Sequence, residues 1–217
     1  MPTSQWANIT PLLDIIMDLS PRPGRVLDVG VGFGKFGFLC KEYLTFWDRP
    51  EPNSQVRVDG IEAFPDYLGP IQQEIYNSLH IGDARDLLPR FPDDEYDLVL
   101  LIDVLEHFTR GDGLNVLSEC RRIGKVVIVC TPSWFFPQQD AFGNPYERHR
   151  SLWCRKDFRR MGASKVTHAD GWLAVFAKPP YALPFTSYYR LFRLKSGISA
   201  LLPNAFKGSR AKSASQS

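Results

Sequence analysis

Acidic residues stand at the ends of four apolar runs in this 217-residue chain: Asp28 after RVL, Glu62 after VRVDGI, Asp83 after LHIG and Asp103 after YDLVLLI. The first opens the segment VLDVGVGFGKFG, in which Asp28-x-Gly30-x-Gly32-x-Gly34 spreads glycines so that the backbone can turn sharply and bring its amides close to a ligand. A carboxylate in such a place accepts from ribose hydroxyls, as expected of Glu62, or from an adenine amine, as expected of Asp83 with Ala84 donating its amide. One such acid is ordinarily a turn former or a helix cap; four at successive run ends point to one shared pocket.

Two histidines are candidate bases. His107 follows the fourth acid in the stretch DVLEH, and His149 lies among Glu147, Arg148 and Arg150. Asp103, Glu106 and His107, spaced i, i+3 and i+4, would share one face of a helical turn, and His149 would complete a divalent-metal set. A pocket-facing Asp103 and a helix-start Glu106 account for the acids without an ion, so no metal is assigned. The segment TPSWFFPQQDAFGNPYERHRSLW (131–153) is long and aromatic for a connection. Trp134, Phe135, Phe136, Tyr146 and Trp153 read as a lid over an acceptor or as cover for a sheet edge. Trp134 and Tyr146 are the acceptor-contact candidates, with Arg148 and Arg150 suited to an anionic group.

The elements that must position these residues alternate. Thr10-Pro11 reads as the cap and first turn of a helix over Leu12–Leu19. RVLDV, VRVDGIE, Leu79–Ile81, YDLVLLID and KVVIVCTP read as strands; residues 35–47, 66–79 and 112–122 read as helices, and GDARDLL as a turn. Near-continuous apolar strands separated by helices indicate a parallel sheet covered on both faces. KVTH (165–168) and WLAVFAK (172–178), joined by Ala-Asp-Gly, read as an antiparallel hairpin closing it. The expectation is therefore a doubly wound, mostly parallel seven-stranded α/β sheet with an antiparallel C-terminal hairpin, a Rossmann-like domain over residues 1–180.

Composition is that of a globular protein, 44% hydrophobic and 23% charged. The absence of a long apolar span and of a basic-then-apolar leader leads to a cytoplasmic expectation. Cys40, Cys120, Cys130 and Cys154 form no CxxC pair and read as reduced packing residues. The net charge of +2 is uneven: residues 181–217 hold six basic and no acidic groups, leaving −4 for 1–180. That balance argues against a nucleic-acid partner. It marks 181–217 as a basic, aromatic extension, read as a docked terminal helix ahead of the possibility of weak contact with an anionic membrane surface, and ending in a disordered GSRAKSASQS.

The glycine loop has two readings. Gly32-x-Gly34-x-x-Gly37 satisfies a dinucleotide fingerprint, in which the early Asp28 would face a pyrophosphate of like charge. Asp28-x-Gly30-x-Gly32-x-Gly34 satisfies the S-adenosylmethionine loop, whose ligand carries an ammonium and a sulfonium, so Asp28 favours it. At VLDVGVGFGKFG, VDGIEAF, IGDARDLL and YDLVLLIDVLEHF the chain resembles the class I S-adenosylmethionine-dependent methyltransferases over residues 22–178. It also resembles a group of small bacterial methyltransferases that keep a segment like FGNPYERHRSLWCRKDF. The family pattern implies a cofactor pocket lined by Asp28, Gly30, Gly32, Gly34, Glu62, Ala63, Asp83, Ala84, Asp103 and Val104. WDRPEPNSQ departs from it as a longer surface link before the second strand. Some methyltransferases acting on catechol-like hydroxyls or RNA ends resemble the DVLEH stretch with a Glu-x-x-Glu-His version that does use a metal; here Asp103 stands in the first position. The implied activity is methyl transfer to a hydroxyl of a small molecule or sugar, with His107 and His149 catalytic. The alternatives are a nicotinamide-dependent oxidoreductase and a non-catalytic partner that keeps the fold.

Overall fold

The computed structural model describes residues 4–46 and 55–181. The chain divides into units at Met1–Leu183 and Pro184–Ser217, and every described residue belongs to the first. The expectations for the C-terminal extension and for part of the WDRPEPNSQ link fall outside the described residues.

Seven strands form one sheet in the order β3-β2-β1-β4-β5-β7-β6. They are β1 (Arg25–Val29), β2 (Arg57–Glu62), β3 (Ser78–Ile81), β4 (Tyr96–Ile102), β5 (Gly124–Pro132), β6 (Lys165–His168) and β7 (Gly171–Ala177). β1 to β5 are parallel; β7 pairs antiparallel with β5 and with β6, as the KVTH/WLAVFAK hairpin requires. Leu98, Val99, Leu100 and Leu101 of β4 are fully buried, because helices cover both faces of the central strand. The strand order reverses between β1 and β4, the place where such sheets leave a crevice at the carboxyl edge.

The helices are α1 (Ile9–Asp18), α2 (Lys35–Lys41), α3 (Pro70–Ile75), α4 (Ala84–Leu87), α5 (Arg110–Ile123) and α6 (Arg155–Arg160). Three differ from expectation for local reasons. Thr10 lies inside α1 and does not cap it; the residue before the helix is Asn8, whose Oδ1 instead accepts from the Asp170 and Gly171 amides at the β6–β7 turn. The helix expected over 66–79 shrinks to α3: Pro65 opens a separate 3-10 turn, Pro70 can occupy only a first turn, and the chain is already extended at Tyr76. GDARDLL forms α4, capped by Asp83 through the Arg85 amide.

Two sequence readings are corrected in the core. Trp153 is no lid residue: it is fully buried, stacks with Phe158, lies under the Arg110 guanidinium at 3.9 Å and donates to Ser151 Oγ at 2.9 Å. Cys40, Cys120 and Cys130 are buried free thiols as expected, whereas Cys154 is an exposed one.

Candidate active site

The crevice at the β1/β4 switch is a cavity of about 690 Å³, a size suited to a nucleoside-type ligand with room for a second molecule. Its upper wall is the loop after β1. Gly30 and Gly32 adopt φ +81° and +49°, left-handed values that glycine reaches without a Cβ clash. A Cβ on Gly30 would run into Val104 Cγ2 across the cavity edge, so the loop and the β4 end can approach only with glycine there.

Glu62 ends β2 and faces this loop. Its Oε2 accepts from the Gly32 amide at 2.8 Å and its Oε1 from the Phe64 amide at 2.9 Å. Burial pushes its pKa up, while the amides of Gly32, Phe64 and Ala63 oppose that. Each oxygen keeps further acceptor capacity, and Glu62 lines the cavity, as a carboxylate that accepts from a vicinal diol must. Asp83, beyond β3, is held differently: burial raises its pKa, but its hydrogen bonds and ion pair with Arg85, closing at 2.7 Å to Nη2, lower it further and leave it an ionised carboxylate. Ala63, Ala84 and Val104 complete the lining with Asp103.

Asp28 and Gly34 are corrections to the expected pocket. Asp28 is 2% exposed and lies behind the loop, outside the lining, where it accepts from Tyr76 Oη at 2.5 Å. Burial raises its pKa to about 7, against the hydrogen bonds from Tyr76 and the Gly37 amide. It is a buried brace between β1 and the end of α3, so its charge does not face the cavity as the sequence reading expected. Gly34, at φ +83°, starts α2 below the lining. Gly37, which the competing dinucleotide pattern used, packs on the Tyr76 ring with no room for a side chain.

Asp103 follows β4 in a left-handed conformation, φ +52°, an uncommon state for a residue with a side chain. Burial raises its pKa; Ser4, Cys130 and the Lys35 ammonium oppose that. The next turn, Leu105–His107, is 3-10 rather than α-helical, so the i, i+3, i+4 face expected for Asp103, Glu106 and His107 does not form. Glu106, 3% exposed, accepts from Thr131 Oγ1 at 3.0 Å through Oε2, and burial pushes its pKa well up, reinforced by Asp103.

The 131–153 segment returns to this turn. The Arg150 and Ser151 amides donate to the Glu106 carbonyl at 2.8 and 3.1 Å, and the His149 amide donates to Gln138 O at 3.0 Å. That stapling brings His149 to His107, ring centroids 5.0 Å apart, although 42 positions separate them in sequence. Burial lowers the His107 pKa to about 4, with His149 adding to the shift, and burial lowers that of His149 too. Both rings are neutral near pH 7.

Of the acceptor candidates, Trp134, Tyr146 and Arg150 line the cavity with both histidines. Arg148 does not: it points to Asp140, which it meets at 3.0 Å through Nη2. Phe135 is likewise outside the lining, and Phe142, at φ +57°, takes its place on the wall. Sequence reasoning also missed Gln5, Lys35, Tyr67 and Glu147. Tyr67 Oη donates to Glu147 Oε1 at 3.2 Å, a contact across 80 positions with no local signal. Acids predominate on the wall, with Glu62, Asp83, Asp103, Glu106, Asp112, Glu147 and Asp170 against Lys35, Arg85 and Arg150. Such a wall suits a sulfonium and ammonium better than a pyrophosphate.

The chain has similar counterparts among known proteins. Residues 27–126 match the family model described as a methyltransferase domain. An uncharacterized protein of Methanocaldococcus jannaschii is 31% identical over 163 residues, 73% of this chain, and the chain spans 59% of that relative's length. Among solved structures, the PH0226 protein from Pyrococcus horikoshii superposes with a TM-score of 0.54 at 22% identity, covering 78% of this chain and 87% of that one. A SAM-dependent methyltransferase from Archaeoglobus fulgidus gives 0.53 at 20%, covering 74% and 68%. The N-terminal domain of EvdMO1, solved with S-adenosylhomocysteine and D-fucose, gives 0.53 at 15%, covering 80% and 82%. Residues 27–126 thus carry a methyltransferase domain, with the glycine loop and the Glu62 carboxylate at its switch point, on a Rossmann-like fold shared with these solved structures.

Proposed function

We propose that this chain methylates a hydroxyl oxygen of a small molecule or sugar, acting in the cytosol, where its free thiols suit a reducing setting. The observation that carries the reading is the meeting of His107 and His149 in the same cavity as the glycine loop and Glu62. S-adenosylmethionine, when bound, supplies a methyl group already activated on sulfonium, so the protein's work is alignment and proton removal. Gly30 and Gly32 let the backbone approach the cofactor, Glu62 accepts from its ribose hydroxyls, and Asp83 with Ala84 receives the base. Trp134, Phe142 and Tyr146 give the acceptor an aromatic wall, and Arg150 suits an anionic group on it. The neutral His149, less buried than His107, takes up the hydroxyl proton as the oxygen accepts the methyl group. The EvdMO1 domain, of the same fold, was solved in the presence of D-fucose, which supports a glycan or sugar acceptor. The domain itself is assigned to residues 1–180, with 181–217 as a separate extension.

Transfer of a labelled methyl group into metabolite and glycan extracts tests the reading. His107→Ala or His149→Ala should cut turnover at least tenfold while leaving S-adenosylhomocysteine affinity nearly unchanged. Calorimetric binding of NAD with no response to S-adenosylhomocysteine would replace it by the oxidoreductase alternative, and binding of neither by a non-catalytic partner.

A further inference from the structure

We propose that Glu106, His107 and His149 form a binding site for one divalent transition-metal cation beside the acceptor chamber, an assignment that deepens the methyl-transfer reading and rests on it for its use. Each of the three offers a ligand atom, and these atoms all lie within 4.8 Å of one another. Ligands about 2.1 Å from a shared ion stand at most roughly 4.2 Å apart, so side-chain adjustments of under ~1 Å close the set.

Three further observations point the same way. First, each imidazole commits Nδ1 to a main-chain carbonyl, His149 to Phe136 O at 3.0 Å and His107 to Arg148 O at 3.4 Å. A carbonyl accepts only from an N–H, so both rings carry hydrogen on Nδ1 and a lone pair on Nε2, the arrangement that orients metal-bound histidines. Second, Glu106 is a carboxylate-bearing side chain 3% exposed, beside Asp103, and its recorded side-chain partner is the neutral Thr131 hydroxyl; among the described residues no ion pair balances it. A buried acid of this kind gains most from a cation. Third, the amides of Arg150 and Ser151 bind the Glu106 carbonyl, so the loop bearing His149 is fastened to the residue that supplies the carboxylate. The three members are thus held by backbone and not by their side chains alone.

Asp103 is outside this set. Its left-handed backbone turns it toward Ser4, Cys130 and Lys35. Two imidazoles and one carboxylate select zinc, manganese, cobalt or iron over magnesium or calcium, which prefer all-oxygen shells. Three protein ligands leave positions open to the chamber, where an acceptor hydroxyl bound to the cation would lose its proton more readily; with the imidazole lone pairs committed to the cation, this would replace proton uptake by His149.

The test uses the full chain, stripped with EDTA and titrated with cobalt(II) chloride, followed by visible absorption and calorimetry. One Co²⁺ per chain with micromolar or tighter affinity is expected, at least tenfold weakened in His107→Ala, His149→Ala and Glu106→Gln, and not competed by equal Mg²⁺. In the unsubstituted protein, the proton NMR ring signals of two of the four histidines should broaden on adding Co²⁺ while those of His80 and His168 stay sharp; this needs no variant to fold. S-adenosylhomocysteine is titrated into the same samples. Binding of it without any stoichiometric Co²⁺ uptake overturns the metal site and leaves the methyl-transfer reading standing. Co²⁺ uptake unchanged in both histidine variants, or broadening confined to His80 or His168, overturns it as well.

Discussion

The buried Asp28 makes stability depend on pH in a direction opposite to the usual carboxylate. Its pKa is raised to about 7 in the folded chain, against about 4 for an unfolded aspartate. Below pH 4 both states hold the proton and the burial costs nothing in protonation free energy. As pH rises from about 4 to about 7, the unfolded chain releases the proton and the folded chain keeps it, so stability falls; above about 7 both are ionised and the loss levels off. Three pH units at about 1.4 kcal/mol each give a span of ~4 kcal/mol at most, a large share of a domain's stability. Asn in its place can still accept from Tyr76 Oη through Oδ1, without a charge. Asp28→Asn should therefore gain stability relative to the parent protein steadily between pH 5 and pH 7.5. Raised acids that do not interact with Asp28, such as Glu106, contribute equally to both proteins, while the repulsion between Asp28 and Glu62, the smallest cause of the Asp28 shift, is lost together with the carboxylate, so the difference between the proteins reports Asp28. Urea melts at half-unit pH steps measure it. A difference that is independent of pH would refute the burial argument, and a difference of opposite slope would show that Tyr76 and the Gly37 amide favour the carboxylate over its desolvation.

Gly30→Ala should weaken S-adenosylhomocysteine binding by more than tenfold in calorimetry and cost about 1–3 kcal/mol of stability, because a Cβ meets Val104 and the backbone is left-handed. Arg150→Ala should raise the KM for an anionic acceptor severalfold, while Arg148→Ala, which loses only an exposed pair with Asp140, should leave kinetics and stability nearly unchanged. Trp153→Ala should cost about 3–5 kcal/mol in denaturant melts, whereas Trp134→Ala, half exposed on the cavity wall, should alter acceptor KM with little effect on melting.

Much of the scaffold was legible because it is written locally. The five central strands declare themselves as apolar runs, the turn residues separate the β6–β7 hairpin, and the glycine loop and Glu62 follow strands at the positions where a parallel sheet opens its crevice. Helix limits were less legible where prolines and caps compete: Asn8 serves the β6–β7 turn, not α1, and α3 is cut short at both ends.

What the sequence alone determined is therefore the sheet, its cofactor edge and the residue types available there, since periodicity and turn chemistry act over a few positions. What only the tertiary structure decided is which of those residues face the cavity. Asp28 turned to Tyr76, Gly34 stayed outside the lining at the start of α2, Arg148 found Asp140, and Trp153 filled the core, while backbone bonds to Glu106 carried His149 across the chain to His107. Those outcomes depend on long-range packing, where burial of an aromatic or satisfaction of a main-chain carbonyl outweighs any preference the neighbouring sequence can express.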